Sequence, residues 1–528
     1  QGDDYKSWAI FWGLVITGIS MILHSFRFWR FGSSRLVVTN FNVPFLAISA
    51  LALVRGGPGL LASLVVISTL IQFFLTVRLA SLRRIFTPTV SGTVVMLVAV
   101  SAVPFIVERT VVEVQDASIE RVLLPGLVAL AVGIWVSLQS SQAWRLWTLP
   151  IVVASGLVIS IPLGLYDFEQ VIEVPWVSLP DLTWTGFDFT FGIHFWSLLP
   201  AFLFVNLTAY MKTRGYLSVI HRASRRNPVA LDLRTVQGGL NLYSVSTLMT
   251  GVLGTLPFAA PWATTVVYIG FTGVASKVVG IYIGLMTIGI APLSKLTALL
   301  IAIPSSVVSA VYVIIFGMLF VEGAKTAFAG QVDYRKGVIA GVSLIIGISA
   351  GGFAGLVDGI VGQMIGNTVV VGSVVALGAA ALIELASHRR RKLEVELSAS
   401  SLPAIDEFLN DFVSSHGWEE DERNRLRLVG EEVILSLLEN NGNEEPDRER
   451  RRMALTALLE GSSAEVEIVV YSEEAIEENI EDQLAYMDDD LALENERQLS
   501  MRILDHYASS VSHRKYYGID VVTVSVER

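Results

Sequence analysis

Residues 122–139 form a continuous apolar run, VLLPGLVALAVGIWVSLQ, that contains no charged side chain. About 20 such residues are needed for a helix to cross the hydrocarbon core of a bilayer. A single run of this kind also occurs in buried helices of soluble proteins. Here about a dozen runs follow one another up to residue 392, and the rest of the chain contains none of comparable length. This pattern predicts a polytopic α-helical membrane protein with a soluble C-terminal domain.

The charge distribution divides the chain at the same place. Residues 1–392 carry 26 Lys and Arg against 16 Asp and Glu, a net charge of +10, whereas residues 393–528 carry 12 against 33, a net charge of −21. We therefore expect a transmembrane domain over 1–392 and a small cytoplasmic α/β domain over 393–528. An acidic domain repels phosphate groups, so no nucleic-acid partner is expected. The chain has no cysteine, which excludes disulfides and thiolate metal sites, and we predict no metal or cofactor.

The apolar runs predict thirteen membrane segments. The second and the ninth are too short to span a bilayer alone, and each follows a polar or proline-rich stretch, at 39–44 and 257–261. Two short, interrupted segments at corresponding places are typical of inverted-repeat transporters, in which half-helix N-termini point at a ligand. A pair of re-entrant structural loops is the alternative. The thirteen segments are 8–26, 41–54, 57–78, 85–107, 122–139, 144–165, 191–212, 239–257, 263–276, 278–303, 304–324, 336–353 and 367–387.

Basic residues predict which loops face the cytoplasm. Lys and Arg follow the odd-numbered segments, whereas the loop between 165 and 191 has five acidic residues and no Lys or Arg. Because basic loops stay cytoplasmic, the C-terminal domain is expected inside a bacterial-type inner membrane. The first segment then starts outside. An intact inverted repeat would require one more helix before Gln1, giving fourteen segments arranged as seven plus seven.

Four short motifs occur in a fixed order along the membrane part. They are FGSS at 31–34 leading to NVPFL at 42–46, FTPTVSGTV at 86–94, GVLGTLP at 251–257, and SKL at 294–296 followed by IP at 303–304. Together they resemble the nucleobase–ascorbate transporter family, also called nucleobase–cation symporter 2 or xanthine/uracil permeases. The resemblance implies a seven-plus-seven fold with core and gate domains, which is shared with sulfate-permease-like carriers. It also implies a homodimer, no enzymatic activity, and elevator-like movement of a substrate held between two short helices.

The chain departs from that family at the expected binding site. Family members usually carry a carboxylate in helix eight, where Thr208 falls, and Glu or Gln early in helix ten, near Ala263. A buried carboxylate is the natural partner of ring N–H groups and of a coupled proton. A neutral site between two positive helix ends suits an anion or a weakly polar solute. The candidate substrate-binding residues, around 40–46, 206–210 and 257–266, are Asn40, Asn42, Phe45, Asn206, Thr208, Tyr210, Phe258, Thr264 and Thr265.

The C-terminal domain has its own pattern. Helical periodicity at 403–415 and 420–439 precedes a hairpin around 461–463, a helix over 494–512 and a final strand over 519–526. This order resembles the ATPase (GHKL) fold of histidine kinases and anti-sigma-factor kinases. The nucleotide motifs are degenerate, since Ser436 stands where an E-x-x-x-N box beginning at Glu432 would place its Mg²⁺-holding Asn. We expect a regulatory or dimerising domain without ATP hydrolysis.

Three functions remain open on the sequence. The first is a secondary-active symporter of a small polar solute, nucleobase-like by family, coupled to H⁺ or Na⁺. The second is a small-anion carrier or channel of the sulfate-permease type. The third is a transporter-derived membrane sensor that signals through the cytoplasmic domain. The expected partners are a small-molecule substrate, the lipid bilayer, a second copy of the chain and a cytoplasmic regulatory protein.

Overall fold

The computed structural model describes most of the chain. The described residues are 2–77, 87–104, 106–107, 119–139, 141, 144, 147–166, 168–180, 186–225, 233–262, 264–328, 334–353, 359–386, 391–414, 418–439, 452–460, 463–471, 502–504, 506–516 and 519–527. The chain forms two compact units. The first comprises Gln1–Phe73, Arg84–Leu217 and Gly239–Leu382, and the second comprises Phe74–Arg83, Ser218–Gly238 and Ile383–Arg528.

The membrane part consists of helices and two very short strands. In chain order they are α1 (Gly2–His24), β1 (Thr39–Asn40), α2 (Val43–Val77), α3 (Pro88–Ser101), α4 (Ile119–Ser137), α5 (Thr148–Ser160), α6 (Phe168–Glu173), α7 (Ile193–Ala223), α8 (Leu233–Val252), β2 (Ala260–Pro261), α9 (Thr264–Thr272), α10 (Lys277–Ile290), α11 (Ser294–Ile301), α12 (Ser305–Ala327), α13 (Tyr334–Ser349), α14 (Gly359–Ile365) and α15 (Thr368–Ala386). Each of the thirteen predicted segments contains at least part of one of these helices.

Within the described part, six helices are long and apolar enough to cross a membrane by length and composition. They are α1, α2, α4, α7, α12 and α13, and two bent pairs, α10 with α11 and α14 with α15, raise the number to eight. Helices α3 and α5 are apolar but have only 14 and 13 residues. The chain is therefore a multi-pass membrane protein.

The predicted separation of 41–54 from 57–78 is confirmed, because α2 consists of two helical stretches that meet at a kink at Gly57, where φ is 72°, just before Pro58. Other boundaries differ from the sequence prediction: α7 continues to Ala223, α8 begins at Leu233, and the short helix α6 was not predicted. The predicted segment 278–303 is divided into α10 and α11, which meet at 77°. Pro292 lies at that break, and a proline cannot donate the backbone hydrogen bond that would continue the helix. Helix α14 was not predicted.

Contacts divide the helices of the membrane part into two groups. In the first helix group, α1 packs on α10 and α11, and hydrogen bonds join α2 to α7 and α8 and α1 to α8. In the second helix group, α12 packs on α3, α4 and α5, α13 packs on α3, and α15 contacts α13. The starts of α2 and α9 lie in the first group. This arrangement places the candidate binding residues on helices distinct from the α3–α12 bundle.

The second helix group contains a close backbone contact at glycine. A Cβ added at Gly92 of α3 would lie 2.3 Å from the Ala327 nitrogen and 2.4 Å from the Gly323 oxygen of α12. No side chain fits at that distance, so the two helix backbones touch directly. Small residues at such contacts are typical of helix packing in membranes. The glycine of the GTV motif at 92–94 therefore has a packing role.

The C-terminal residues form a two-layer α/β arrangement. The elements are β3 (Arg391–Glu396), α16 (Leu402–Ser414), α17 (Glu420–Glu439), β4 (Arg452–Glu460), β5 (Ser463–Tyr471), β6 (Ser510–Tyr516) and β7 (Ile519–Glu527). The strands form one antiparallel sheet in the order β3-β4-β5-β7-β6. Alternate residues of three strands face α16 and α17 and form a core with them, which includes Leu455, Val466, Ile468, Val522, Val524, Leu409, Phe412 and Val433.

Most of the predicted C-terminal elements are confirmed and one is partly wrong. The two helices and the last strand lie within one residue of their predicted bounds, and β4 and β5 pair as a hairpin that joins Glu460 to Ser463. The helix predicted over 494–512 overlaps β6, which starts at Ser510. Val511 and His513 pair with Val524 and Val522 of β7, and this cross-strand pairing overrides local helical periodicity. Strand β3 was not predicted, and residues 472–501 lie outside the described part of the chain.

Candidate functional site

The two short interrupted segments meet in space. Strand β1 pairs with β2 in antiparallel register, so that Thr39 lies opposite Pro261 and Asn40 opposite Ala260. The ladder is extended by the Trp262 nitrogen, which donates to the Val38 oxygen at 3.2 Å. Helices α2 and α9 start three residues beyond their strands. The positive ends of the two helix dipoles lie at these starts, where Pro44 has no N–H group and the N–H groups of Phe45 and Thr265 donate to the Asn42 and Trp262 carbonyls.

The hydroxyl of Thr265 ties these two helix starts together. Its Oγ1 accepts a hydrogen bond of 3.1 Å from the backbone nitrogen of Val38, the residue before β1. Thr265 is fully buried. Its hydroxyl therefore holds the start of α9 against the strand that leads into α2. Thr264 is the first residue of α9, and its side chain and Ala263 lie outside the described part of the structure.

The two asparagines near β1 have different environments. Asn40 is exposed, and its Oδ1 accepts a hydrogen bond of 2.8 Å from the nitrogen of Phe41. Asn42 is buried, and its Nδ2 donates to the Tyr243 hydroxyl of α8 at 2.9 Å. Asn42 therefore fastens the start of α2 to α8. The Asn40 side chain is exposed beside the strand pair, and its Nδ2 forms no hydrogen bond with the described residues.

Helix α7 presents Asn206 to α2. The Asn206 Nδ2 donates to the Thr69 Oγ1 at 3.1 Å, and the ring of Phe202, one turn earlier, lies 6.1 Å from the ring of Phe45. Tyr210 is four residues beyond Asn206 and is also buried. Residues four apart lie on one helix face, so this face of α7 packs inside the first helix group. Asn206 Oδ1 is a buried acceptor for which the described residues provide no partner.

Thr208 lies on another face of α7. Residues two apart point about 200° away from each other around a helix. Thr208 therefore shares its face with Lys212, which contacts α12 of the second helix group. Thr208 is only 1% exposed, and none of the described residues forms a hydrogen bond with its Oγ1. An unpaired buried hydroxyl is costly, which makes Thr208 a candidate ligand contact between the two helix groups.

Phe258 lies on the other side of the first helix group. It is half-buried in the stretch before β2, and a Cβ added at Gly13 of α1 would lie 2.6 Å from its ring. Phe258 therefore packs on α1 at a place where only glycine fits. The next residue, Ala259, has a φ of 69°, a left-handed conformation that is uncommon for a non-glycine residue.

The candidate residues have different environments. Asn42, Phe45, Asn206 and Thr265 contact other residues of the first helix group, and the buried Asn206 Oδ1 and Thr208 Oγ1 have no hydrogen-bond partner among the described residues. No set of three or more His, Cys, Asp or Glu side chains in the described part of the chain could hold a metal ion. The arrangement offers hydroxyl, amide and backbone N–H groups, which recognise a ligand by hydrogen bonds.

Sequence reasoning missed several buried polar residues beside the candidate site. Gln72 of α2 donates from Nε2 to the Ser244 Oγ of α8 at 3.3 Å, and its Oε1 has no partner in the described part of the chain. Ser68 and Thr69 lie one turn before Gln72, and their hydroxyl oxygens accept hydrogen bonds from the Nδ2 of Asn206. The signal was available, because three polar residues at positions 68, 69 and 72 interrupt an otherwise apolar run. Polar residues inside membrane segments face the protein interior.

Named proteins are similar to this chain over most of its membrane part. Xanthine permease XanQ of Escherichia coli is 24% identical over 364 residues, which cover 65% of this chain and 76% of that protein. Xanthine permease XanP of the same organism is 26% identical over 355 residues, with 63% and 74% covered. A Clostridium perfringens protein named as a purine permease is 25% identical over 299 residues. The chain spans 64% of the length of that protein.

A solved structure is similar at a lower level. It is the transmembrane domain of a cyanobacterium bicarbonate transporter, BicA, with a TM-score of 0.41 and 16% identity over 72% of this chain and 97% of that one. A similarity of this size supports neither a fold nor a function. The family model Xan_ur_permease, described as "Permease family", matches residues 7–352. Because that match covers well over half of the chain, the protein belongs to this permease family of membrane transport proteins and is not an enzyme.

Proposed function

We propose that the protein is a secondary-active transporter of a nucleobase-like solute of the xanthine and uracil class. The support is its membership of the permease family, together with relatives named as xanthine and purine permeases. The observation that carries the proposal within the chain is the pairing of β1 with β2, because it sets the starts of α2 and α9 side by side. Backbone N–H groups at two helix starts can bind the carbonyl oxygens of a nucleobase.

The proposed site lies around residues 40–46 and 257–266, facing Thr208. A nucleobase edge carries both donors and acceptors, and a threonine hydroxyl can serve either. Thr208 would hydrogen-bond the ring at the position where the family's carboxylate usually stands, and the amide of Asn40 would supply further donors. Thr264 would lie at the start of α9 beside them. Asn42, Phe45, Asn206, Tyr210, Phe258 and Thr265 would shape the site from behind.

The proposed movement is of the elevator type. The first helix group, with both helix starts, would move as one body against the second helix group, which would stay fixed in a homodimer in the inner membrane. Extensive polar bonding within the first group, such as Asn206 to Thr69 and Asn42 to Tyr243, supports its moving as a unit. Because the residues named here carry no carboxylate, proton or sodium coupling would have to use other groups.

A small-anion carrier is the second candidate, and the neutral site favours it. Helix starts that offer N–H groups without a neighbouring carboxylate also bind anions. The discriminating experiment is the thermal stability of the purified, detergent-solubilised protein against nucleobases and small anions. A ligand at about a hundred times its dissociation constant adds roughly 2.7 kcal/mol. Stabilisation by xanthine or uracil, followed by uptake in proteoliposomes, would support the nucleobase carrier, and stabilisation only by bicarbonate, sulfate or a carboxylate would replace it with an anion carrier.

For residues 393–528 we propose a cytoplasmic regulatory or dimerising role in a degenerate GHKL-like domain. Two helices on one face of an antiparallel sheet support a compact independent core. Ser436, at the position of the metal-holding Asn of an ATPase, is buried in α17. Titration of the full-length protein with Mg²⁺ and ATP should therefore release no binding heat and no phosphate. If ligand instead changed this domain without any flux, the protein would be a sensor.

A further inference from the structure

Helix α7 makes polar contacts with α14, which forms a bent pair with α15 and is counted with it in the second helix group, and with α12 of that group. Near its start, His194 Nδ1 and Ser197 Oγ each lie 3.1 Å from the Oε1 of Gln363 in α14. This oxygen only accepts, so His194 Nδ1 donates to it, and the single hydroxyl proton of Ser197 is shared between this oxygen and the His194 carbonyl oxygen, also 3.1 Å away. Further along, Lys212 Nζ lies 3.1 Å from a carboxylate oxygen of Glu322 in α12.

The contact at Glu322 is an ion pair with a third member. The hydroxyl of Tyr216, one turn beyond Lys212, donates to the same carboxylate oxygen. The Lys212 ammonium also lies 5.9 Å from the centre of the Tyr216 ring, where a cation is attracted to the π-face. The Lys212 side chain is only 11% exposed, whereas that of Glu322 is 41% exposed. A largely buried ammonium group is costly unless it is paired, so separation of this pair requires a replacement partner or water for Lys212.

The two contacts are carried by one helix. Ser197 and Lys212 are 15 residues apart, which corresponds to about 22 Å along a helix axis at 1.5 Å per residue. Between them α7 is bonded into the first helix group through Asn206 and through the packing of Phe202 on Phe45. Any sliding of the first helix group along α12 and α14 would therefore break both contacts together.

We propose that these contacts form a two-point latch, which holds the first helix group to the second and opens in each transport cycle. The proposal rests on the proposed transport function. The Lys212–Glu322 pair is the charged point of the latch, and the Gln363 contact is the neutral one. Thr208 lies one turn before Lys212 on the same face of α7 and is buried in this state, so a closed latch on that face would cover it. Opening would expose Thr208.

A cross-linking experiment tests whether the charged point separates. The chain contains no cysteine, so Lys212→Cys with Glu322→Cys can be introduced into the otherwise native protein. A bifunctional methanethiosulfonate of about 10 Å should then bridge the two helices, because a direct disulfide needs Cα atoms about 4.4–6.8 Å apart. We expect xanthine or uracil uptake in proteoliposomes to fall at least tenfold on bridging and to return after reduction.

The matched control bridges two helices of the same group. Ser20 of α1 and Ser246 of α8 have hydroxyl oxygens 3.3 Å apart. These two residues are buried, so in the pair Ser20→Cys and Ser246→Cys the cross-link is a direct disulfide formed by oxidation. It should leave uptake within twofold, because these helices keep their relative position. Full uptake by the bridged Lys212/Glu322 variant would overturn the latch.

A second measurement needs no substrate. In the single variant Thr208→Cys, the rate of maleimide alkylation reports how often the latch opens. Adding Glu322→Gln or Lys212→Gln should raise that rate at least fivefold, and the exchange Lys212→Glu with Glu322→Lys should restore the slow rate. An unchanged rate in both neutral variants would refute the latch.

The two measurements separate the latch from the transport proposal. If the wild-type protein takes up no nucleobase, the proposed function fails, and the alkylation rates alone decide about the latch. If the unbridged double-cysteine variant is inactive, the alkylation rates again decide about the latch. If uptake is present and bridging does not reduce it, the latch fails and the transport function stands.

Discussion

The buried amide of Asn42, at the start of α2, donates a hydrogen bond of 2.9 Å to the hydroxyl of Tyr243 in α8. Tyr243→Phe keeps the ring and removes the only atom that this bond needs. The Asn42 donor is then left unsatisfied, at a cost of about 1–3 kcal/mol. We expect a lower unfolding temperature and weaker ligand binding, measured by thermal unfolding with and without xanthine. Tyr282→Phe, at an exposed position of α10, is the control, and equal losses in both variants would contradict this role.

Thr208→Ala should weaken ligand binding without destabilising the empty protein. The Oγ1 of Thr208 forms no hydrogen bond with the described residues, so removing this hydroxyl breaks no hydrogen bond within the described protein. Loss of a ligand hydrogen bond is worth about 0.5–1.5 kcal/mol, or roughly a three- to tenfold rise in the dissociation constant. Ser343→Ala removes an equally buried, unpartnered hydroxyl from α13, in the second helix group. Equal affinity of the Thr208→Ala protein and the wild type would remove Thr208 from the proposed site.

Thr265→Val should loosen the link between the two helix starts. The valine cannot accept the hydrogen bond from the Val38 nitrogen, and this buried donor is left without its partner. We expect a stability loss of about 1–3 kcal/mol together with reduced ligand affinity. Thr287→Val in α10 is the control, because the Thr287 hydroxyl bonds only to the Ile283 carbonyl of its own helix. If Thr265→Val lowers stability but leaves the ligand affinity unchanged, the hydrogen bond between Val38 and Thr265 does not shape the binding site.

The stability of the folded loop before α7 should depend on pH through the ionisation of Asp188. The hydroxyl and backbone N–H of Thr190 both donate to Asp188 Oδ1 and lower the pKa of this carboxyl. A lowered pKa stabilises the folded loop above the unfolded pKa of about 3.9, and this stabilisation is lost as the pH falls through the folded value. Limited proteolysis should therefore cleave Asp188→Asn faster than the wild type at pH 7, and the ratio of the two rates should fall towards one as the pH is lowered below about 3.9, where acid-active pepsin is used for both proteins. An unchanged ratio across this pH range would argue against ionisation as the cause.

Leu409→Ala should unfold the C-terminal domain while leaving transport in place. Leu409 of α16 is 1% exposed in the core formed with α17 and the sheet. Large-to-small changes at such positions cost about 2–5 kcal/mol. Proteolysis of the domain should accelerate, and uptake should persist if the domain only regulates the carrier. The control is Leu428→Ala, at an exposed position of α17, which should change neither the proteolysis rate nor uptake. Loss of uptake with Leu409→Ala would show that the domain is essential to transport.

The sequence predicted the elements with strong periodicity and missed what depends on distant partners. Apolar runs located every predicted membrane helix, and polar stretches before two short segments anticipated the approach of β1 to β2. The broken helix at Pro292 could have been anticipated, since proline ends helices, but the angle depends on packing. Residues 510–516 form strand β6 because they pair with β7, and the local sequence pattern does not predict this pairing.

The sequence names candidate site residues, but naming them does not show which of them share a helix face or which residues they contact. Spacing alone would have separated Asn206 from Thr208, because they lie two positions apart on one helix. The partners of Asn42 and Thr265 are 201 and 227 residues away in sequence, and their identity requires the fold. The contact between Lys212 and Glu322 was missed for the same reason, since their helices are joined only in space.

The pairing of β1 with β2 has a consequence for biosynthesis. About 220 residues separate the two strands, so β1 leaves the ribosome long before its partner exists. Until Ala260 and Pro261 are inserted, the Thr39–Asn40 backbone has no strand partner at membrane depth, where unsatisfied peptide groups are costly. Nascent chains that stop before residue 260 should therefore remain open to degradation, and the first moment of protection should coincide with insertion of α9.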